Sequence, residues 1–148
     1  MISLTTAIQL KEAGLKWVPA LHDFFAIPER NLDERLFVIS DMLVTVEQLS
    51  GLQVVSFQGA SEWSLDYLLA TEAVWIPRED QLRKALEAIL FTKPGWRFEL
   101  AVDENNQRCL IPWGEEELVF EAEDASHAYA AALLFLLNTN TSILPPAE

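Results

Sequence analysis

One cysteine, two histidines and five glycines are all that this 148-residue chain offers to several common chemistries. With Cys109 alone, no intramolecular disulfide can form, which points to a reducing, cytoplasmic compartment. No two of the five glycines lie within six residues of each other. Neither G-x-G-x-x-G nor G-x-x-x-x-G-K-[ST] occurs, so nucleotide binding through those loops is excluded. The opening MISLTTAIQLKEAGLKW has no basic stretch ahead of an apolar run and does not read as a signal peptide. The longest apolar run, AYAAALLFLL, has ten residues, against roughly 20 for a bilayer span. Bases are scarce, 10 against 23 acids, for a net charge of −13. Phosphate backbones and anionic lipid surfaces repel such a chain, so neither a nucleic acid nor a membrane is expected as a partner.

What is present is core material. Apolar residues make up 51% of the chain, and five are tryptophans: Trp17, Trp63, Trp75, Trp96 and Trp113. The charge is uneven. Nine acids (Glu99, Asp103, Glu104, Glu115, Glu116, Glu117, Glu121, Glu123, Asp124) face one base, Arg108, in the span that holds them. Residues 78–97 instead carry five bases and three acids. An acidic face of this kind either keeps the protein dissolved or docks a basic partner.

Local patterns predict the elements. Thr5 or Thr6 can cap a first helix that Gly14 stops, and residues 20–27 read as a short helix ended by Pro28. Residues 35–40 and 52–57 are strand-like, while 44–49 suit one or two helical turns closed by Ser50-Gly51. Residues 62–70 fit a strand or a helix equally. Residues 73–76 read as a strand before Pro77. Pro77-Arg78-Glu79-Asp80 then opens a helix with Leu82, Leu86, Ile89 and Leu90 on one stripe. Lys93-Pro94-Gly95 is the strongest turn signal. It marks a seam between parts 1–93 and 94–138, with 139–148 as a loose tail. Beyond it, Trp96, Phe98, Leu100 and Val102 alternate with Arg97, Glu99 and Ala101, and Cys109, Ile111 and Trp113 alternate on the return strand, so a hairpin with one buried face is expected, with a third strand over 118–121. Asp124 can cap a last helix that is apolar on two faces, through Tyr129, Ala132, Leu133, Leu136 and Leu137 and through Leu134 and Phe135. Such a helix is buried on two sides or packs on a partner.

Chemical constellations are few. Gly59-Ala60-Ser61-Glu62-Trp63 begins like a nucleophile elbow, but Trp63 fills the position that needs a small residue. Cys109 sits on the apolar side of its strand, as a core thiol. Asp103-Glu104-Asn105-Asn106-Gln107 starts like a calcium loop, yet Arg108 and Gly114 stand where glycine and a bidentate carboxylate are required. Glu123 and His127, at i and i+4, lack further metal ligands, and His22-Asp23 would face different ways on a helix. No catalytic residue, metal site or cofactor is therefore expected. The acids most exposed to desolvation by aromatic neighbours are Glu62, Asp66 and Glu72. A ligand-binding pocket, if present, is expected at Glu62, Trp63, Asp66 and Tyr67.

The stretches Gly14-Leu15-Lys16-Trp17-Val18-Pro19, His22-Asp23-Phe24-Phe25-Ala26-Ile27-Pro28, Phe37-Val38-Ile39-Ser40-Asp41-Met42, Gly59-Ala60-Ser61-Glu62-Trp63-Ser64-Leu65-Asp66-Tyr67 and Val74-Trp75-Ile76-Pro77 resemble short bacterial proteins often labelled pilus-assembly, CpaE-like. Proteins properly of that name resemble ParA/MinD-type ATPases, whose phosphate-binding loop has no counterpart here. The resemblance therefore implies a bacterial family of this length and carries over no active site. The stretch from Trp96 to Leu137 is loosely similar, in pattern, to small ββα sandwich domains of phage-related proteins.

Together these readings predict an α+β fold: a mostly antiparallel sheet of five to seven strands with helices packed against it, with two small lobes as a variant. The leading functional expectation is a non-enzymatic protein-binding or regulatory module, acting through a protein partner or self-association. The alternatives are a small-molecule binder or hydrolase at Glu62 and Asp66, and an acidic immunity-type protein matched to a basic toxin.

Overall fold

The computed structural model describes residues 1–28, 32–39, 44–49, 52–57, 72–92 and 94–139. Its class is α+β, and every strand pairing among these residues is antiparallel. Among the described residues the strands fall into two three-stranded sheets and one two-stranded sheet. The chain divides into two compact units, Met1–Lys16 with Pro77–Glu148, and Trp17–Ile76.

The first unit is built on helices whose ends are chemically specified. In α1 (Leu4–Glu12) the cap is Ser3, ahead of the expected threonines, because its Oγ accepts the Thr6 N–H at 3.1 Å. The helix stops where Gly14 adopts φ +103°, a left-handed conformation that a side chain would strain. There Leu15 N–H donates to the Leu10 carbonyl and Gly14 N–H to that of Lys11, the paired bonds of a Schellman end. In α2 (Glu79–Leu90) the Gln81 side chain accepts the Arg78 N–H at 2.9 Å, and two acids occupy the first turn. Its buried stripe is Leu82, Leu86 and Leu90, as the spacing predicts. Asp124 caps α3 (Ala125–Asn138) by accepting the His127 N–H at 2.9 Å.

Three strands complete this unit in the order β6-β7-β8, where β6 is Glu99–Val102, β7 Gln107–Trp113 and β8 Glu116–Ala122. The register sets Leu100, Cys109 and Phe120 abreast, and Ile111 beside Leu118. These side chains share one face, and α3 lies against β7 and β8. Phe135 meets Trp113 and Phe120 at centroid separations of 5.6 and 5.7 Å. The same helix also packs on α2 and α1. The helix is buried through Tyr129, Ala132, Leu133 and Leu136, whereas Phe135 on its second apolar face stays 36% exposed. Leu133 and Leu136 are fully buried, each contributing about 1.5–3 kcal/mol. Because α2 and α3 pack together across the Pro94-Gly95 turn, that turn lies inside a unit rather than between two.

In the second unit the short helix expected over 20–27 is not formed. A turn ends at His22, and β1 (Phe24–Ile27) follows as the central strand between β2 (Leu32–Val38) and β5 (Val74–Ile76). His22 has φ 69°, which no right-handed helix contains. The run Phe24-Phe25-Ala26-Ile27 is apolar at every position, as a strand covered on both faces requires. Residues 44–49, expected as helical turns, are β3 (Val44–Leu49), paired from Val44↔Phe57 to Leu49↔Leu52 with β4 (Leu52–Phe57). The β-branched Val44, Thr45 and Val46 favour that outcome, since branching at Cβ restricts χ1 in a helix and suits a pleated ladder.

Candidate functional site

The four residues expected to line a ligand pocket, Glu62, Trp63, Asp66 and Tyr67, lie outside the described residues. Two other regions concentrate chemistry, one in each unit.

In the Trp17–Ile76 unit the register aligns Trp75, Phe25 and Phe37 across β5, β1 and β2 on one face. Trp17 stacks on Trp75 at 6.4 Å, with planes 7° apart, and touches Phe25 at 5.9 Å. Asp23 is set into this aromatic layer and is 2% exposed. Its Oδ2 accepts the Trp17 Nε1–H at 2.9 Å and the Ala20 N–H at 3.0 Å. Its backbone carbonyl accepts the Ile39 N–H, while His22 N–H donates to the Ile39 carbonyl. A charge-bearing acceptor is thus spent on holding residues 17–23 in one conformation, with Val18 85% exposed at the tip. The sequence does carry the signal for this: one carboxylate directly ahead of four apolar residues. Adjacency to His22 on an expected helix conceals it.

In the other unit the outer face of the β6-β7-β8 sheet is acidic. Glu99 on β6 and Glu117 and Glu121 on β8 alternate with the buried-face residues and are exposed, as is Val119 between the last two. Opposite them on β7 stand Leu110, Pro112 and Arg108. Glu121 accepts from Asn106 Nδ2 at 2.9 Å. Among the described residues neither Glu116 nor Glu117 has an ion-pair partner. Glu104, Glu115 and Glu123 are exposed at the ends of the same strands. The nine acids read from the sequence therefore gather on and around one sheet.

The remaining candidates serve the fold. Asp103 Oδ1 accepts the N–H groups of Asn105 and Asn106 at 3.0 and 2.9 Å, and Oδ2 accepts from Arg108 at 3.2 Å. The Asn106 and Asn105 N–H groups, then the Arg108 charge, hold its carboxyl below the ordinary value. Those oxygens close a hairpin turn. Burial pushes the Cys109 thiol up to about 11, so little thiolate exists near neutrality and nucleophilic chemistry is disfavoured. His127 Nδ1 lies 2.8 Å from Asp124 Oδ1, within the helix cap. Burial acts to raise the Asp124 carboxyl, but the His127 N–H and ring outweigh it and hold the group low. Among the described residues no three His, Cys, Asp or Glu side chains are grouped to hold a metal. A shallow groove of about 320 Å³ runs between α1 and the end of α3, lined by Gln9, Glu12, Ala13, Leu134 and Asn138. It contains one titratable group and no nucleophile. No helix among the described residues is long and apolar enough to cross a membrane.

Protein-family models, curated proteins and solved structures were all compared with the chain, and none matches.

Proposed function

We propose that this protein is a non-enzymatic binding or regulatory module that recognises a basic protein partner in a reducing, cytoplasmic compartment. The observation that supports the reading is that Glu99 on β6 and Glu117 and Glu121 on β8 are exposed on the outward face of one sheet, with the exposed Val119 between the last two. Carboxylates on a rigid ladder lose little conformational freedom when a cation arrives, so they steer and select a basic surface better than a mobile tail would. The last helix is spent on the core and contributes nothing to this surface. The test is titration of the intact chain with a lysine-rich peptide and with its glutamate-rich counterpart. The lysine peptide should bind at low ionic strength and weaken as salt shortens the screening length from about 30 Å at 0.01 M to about 8 Å at 0.15 M. Equal behaviour of the two peptides would remove the reading.

A further inference from the structure

We propose that β8, an outer strand of its sheet among the described residues, receives an extended basic segment as a fourth strand, so that the β6-β7-β8 sheet is a strand-addition site. The inference rests on the protein-binding reading above and names how that surface engages its partner.

The outward hydrogen-bonding groups are identified by the parity of the ladder. Asp103 N–H donates to the Asn106 carbonyl at 3.0 Å, which makes the turn-proximal pair of the β6–β7 hairpin a hydrogen-bonded one. Alternation along an antiparallel pair then assigns Ala101↔Arg108 and Glu99↔Leu110 as bonded pairs, so Arg108 and Leu110 spend their groups on β6. It follows that Gln107, Cys109, Ile111 and Trp113 bond to β8, and that Glu117, Val119 and Glu121 turn their N–H and C=O groups away from β7. Two further observations agree. Pro112, which has no N–H to give, stands opposite Glu117 and past the end of β6, where the parity demands none. Trp113↔Glu116 closes a two-residue loop whose first residue, Gly114, has φ 65°, as short hairpin loops require.

The same three residues also share one side-chain face, because they alternate. The edge therefore presents, in register, acid, apolar, acid: Glu117, Val119 (52% exposed) and Glu121. Among the described residues β8 has no second strand partner. A strand laid antiparallel on it would set two basic side chains opposite Glu117 and Glu121, an aliphatic one opposite Val119, and two more aliphatic ones beside the half-buried Leu118 and Phe120. A second copy of this chain fits poorly. Pairing β8 with itself about Val119 would place Glu117 against Glu121, and like charges directly opposed destabilise a ladder. The acids thus discourage self-pairing while favouring a basic occupant.

The probe is the peptide acetyl-Ser-Lys-Val-Val-Val-Lys-Ser-amide, titrated into the whole chain and followed by amide NMR. Binding should slow exchange at the N–H groups of Glu117, Val119 and Glu121 and leave Leu118 and Phe120 unchanged. A control with the lysines two residues apart, acetyl-Ser-Val-Lys-Val-Lys-Val-Ser-amide, cannot meet both acids and should bind about tenfold more weakly, as should the wild-type probe against the Glu117→Lys, Glu121→Lys double variant. N-methylation of the probe's central valine should also cost about tenfold by deleting one interstrand bond, without touching the protein's fold. Val119→Pro should do the same while leaving the circular dichroism spectrum intact, since its N–H faces outward. If N-methylation leaves affinity unchanged while the charge reversals still weaken it, strand addition is wrong and the acidic surface reading survives. If neither lysine peptide binds at low salt, both fall.

Discussion

The two units solve the problem of a small core in different ways. In Met1–Lys16 with Pro77–Glu148, aliphatic side chains of three helices pack together, with Leu10, Leu82, Leu86, Leu90, Leu133 and Leu136 almost completely buried, and α3 meets the sheet through rings that include Trp113, Phe120 and Phe135. In Trp17–Ile76, four aromatic rings lie together across a three-stranded sheet, and a buried carboxylate ties the connecting loop to them. Aliphatic burial is non-directional, so the helical layer of the first unit depends on volume. The Trp17 indole edge has a directed partner in Asp23, so the second unit depends on hydrogen-bond geometry as well as on ring packing. The contrast teaches that one chain can stabilise its two units through terms that respond to different substitutions.

The sharpest way to break this contrast is to remove volume from the first unit. Leu133→Ala leaves a cavity where α3 is fully buried and should cost about 2–5 kcal/mol, measured by urea unfolding. A loss under about 1 kcal/mol would mean that the helix core is looser than its burial implies. Next comes the polar anchor. Asp23→Ala leaves the Trp17 indole and Ala20 N–H groups without their acceptor and should cost about 2–3 kcal/mol, with a changed Trp17 fluorescence spectrum. Asp23→Asn keeps an acceptor oxygen and should recover part of that loss. If Asp23→Ala is instead neutral, the loop is held by its aromatic contacts alone. The smallest effect lies at the cap of α3. Asp124→Ala should cost about 1 kcal/mol at neutral pH. Because the folded carboxyl is held below its ordinary 3.8, its contribution is present above that value and is lost as pH falls through the lower folded one. Unfolding curves of wild type and Asp124→Ala should therefore converge in acid. Persistence of the gap there would show that the cap acts through packing rather than charge.

Legibility follows the range of the interaction. The α2 stripe, the Asp124 cap and the hairpin of β6 and β7 are written in caps, spacing and alternation within a dozen residues. The acidic character of the C-terminal sheet is legible as composition, though not which carboxylates share a face with open backbone groups. The region around Phe24 is misread as helix because its apolar run has no periodicity of its own, and β3 because isolated turns and short strands look alike. Asp23 is hidden by the same error: on the expected helix it is one more surface acid, and only as the residue before a central strand does it become an anchor.

From the chain alone come the stop of the first helix at Gly14, the start of the last at Asp124, the hairpin beyond Trp96 with its buried face and the excess of negative charge, because each is fixed by groups within reach of one another along the backbone. Only the folded protein decides that the first helix joins elements more than sixty residues later, that β1 is central between β2 and β5, and that Glu117, Val119 and Glu121 form an outward edge. Those choices are made by contacts between distant segments, whose closure entropy and shared burial no local window contains.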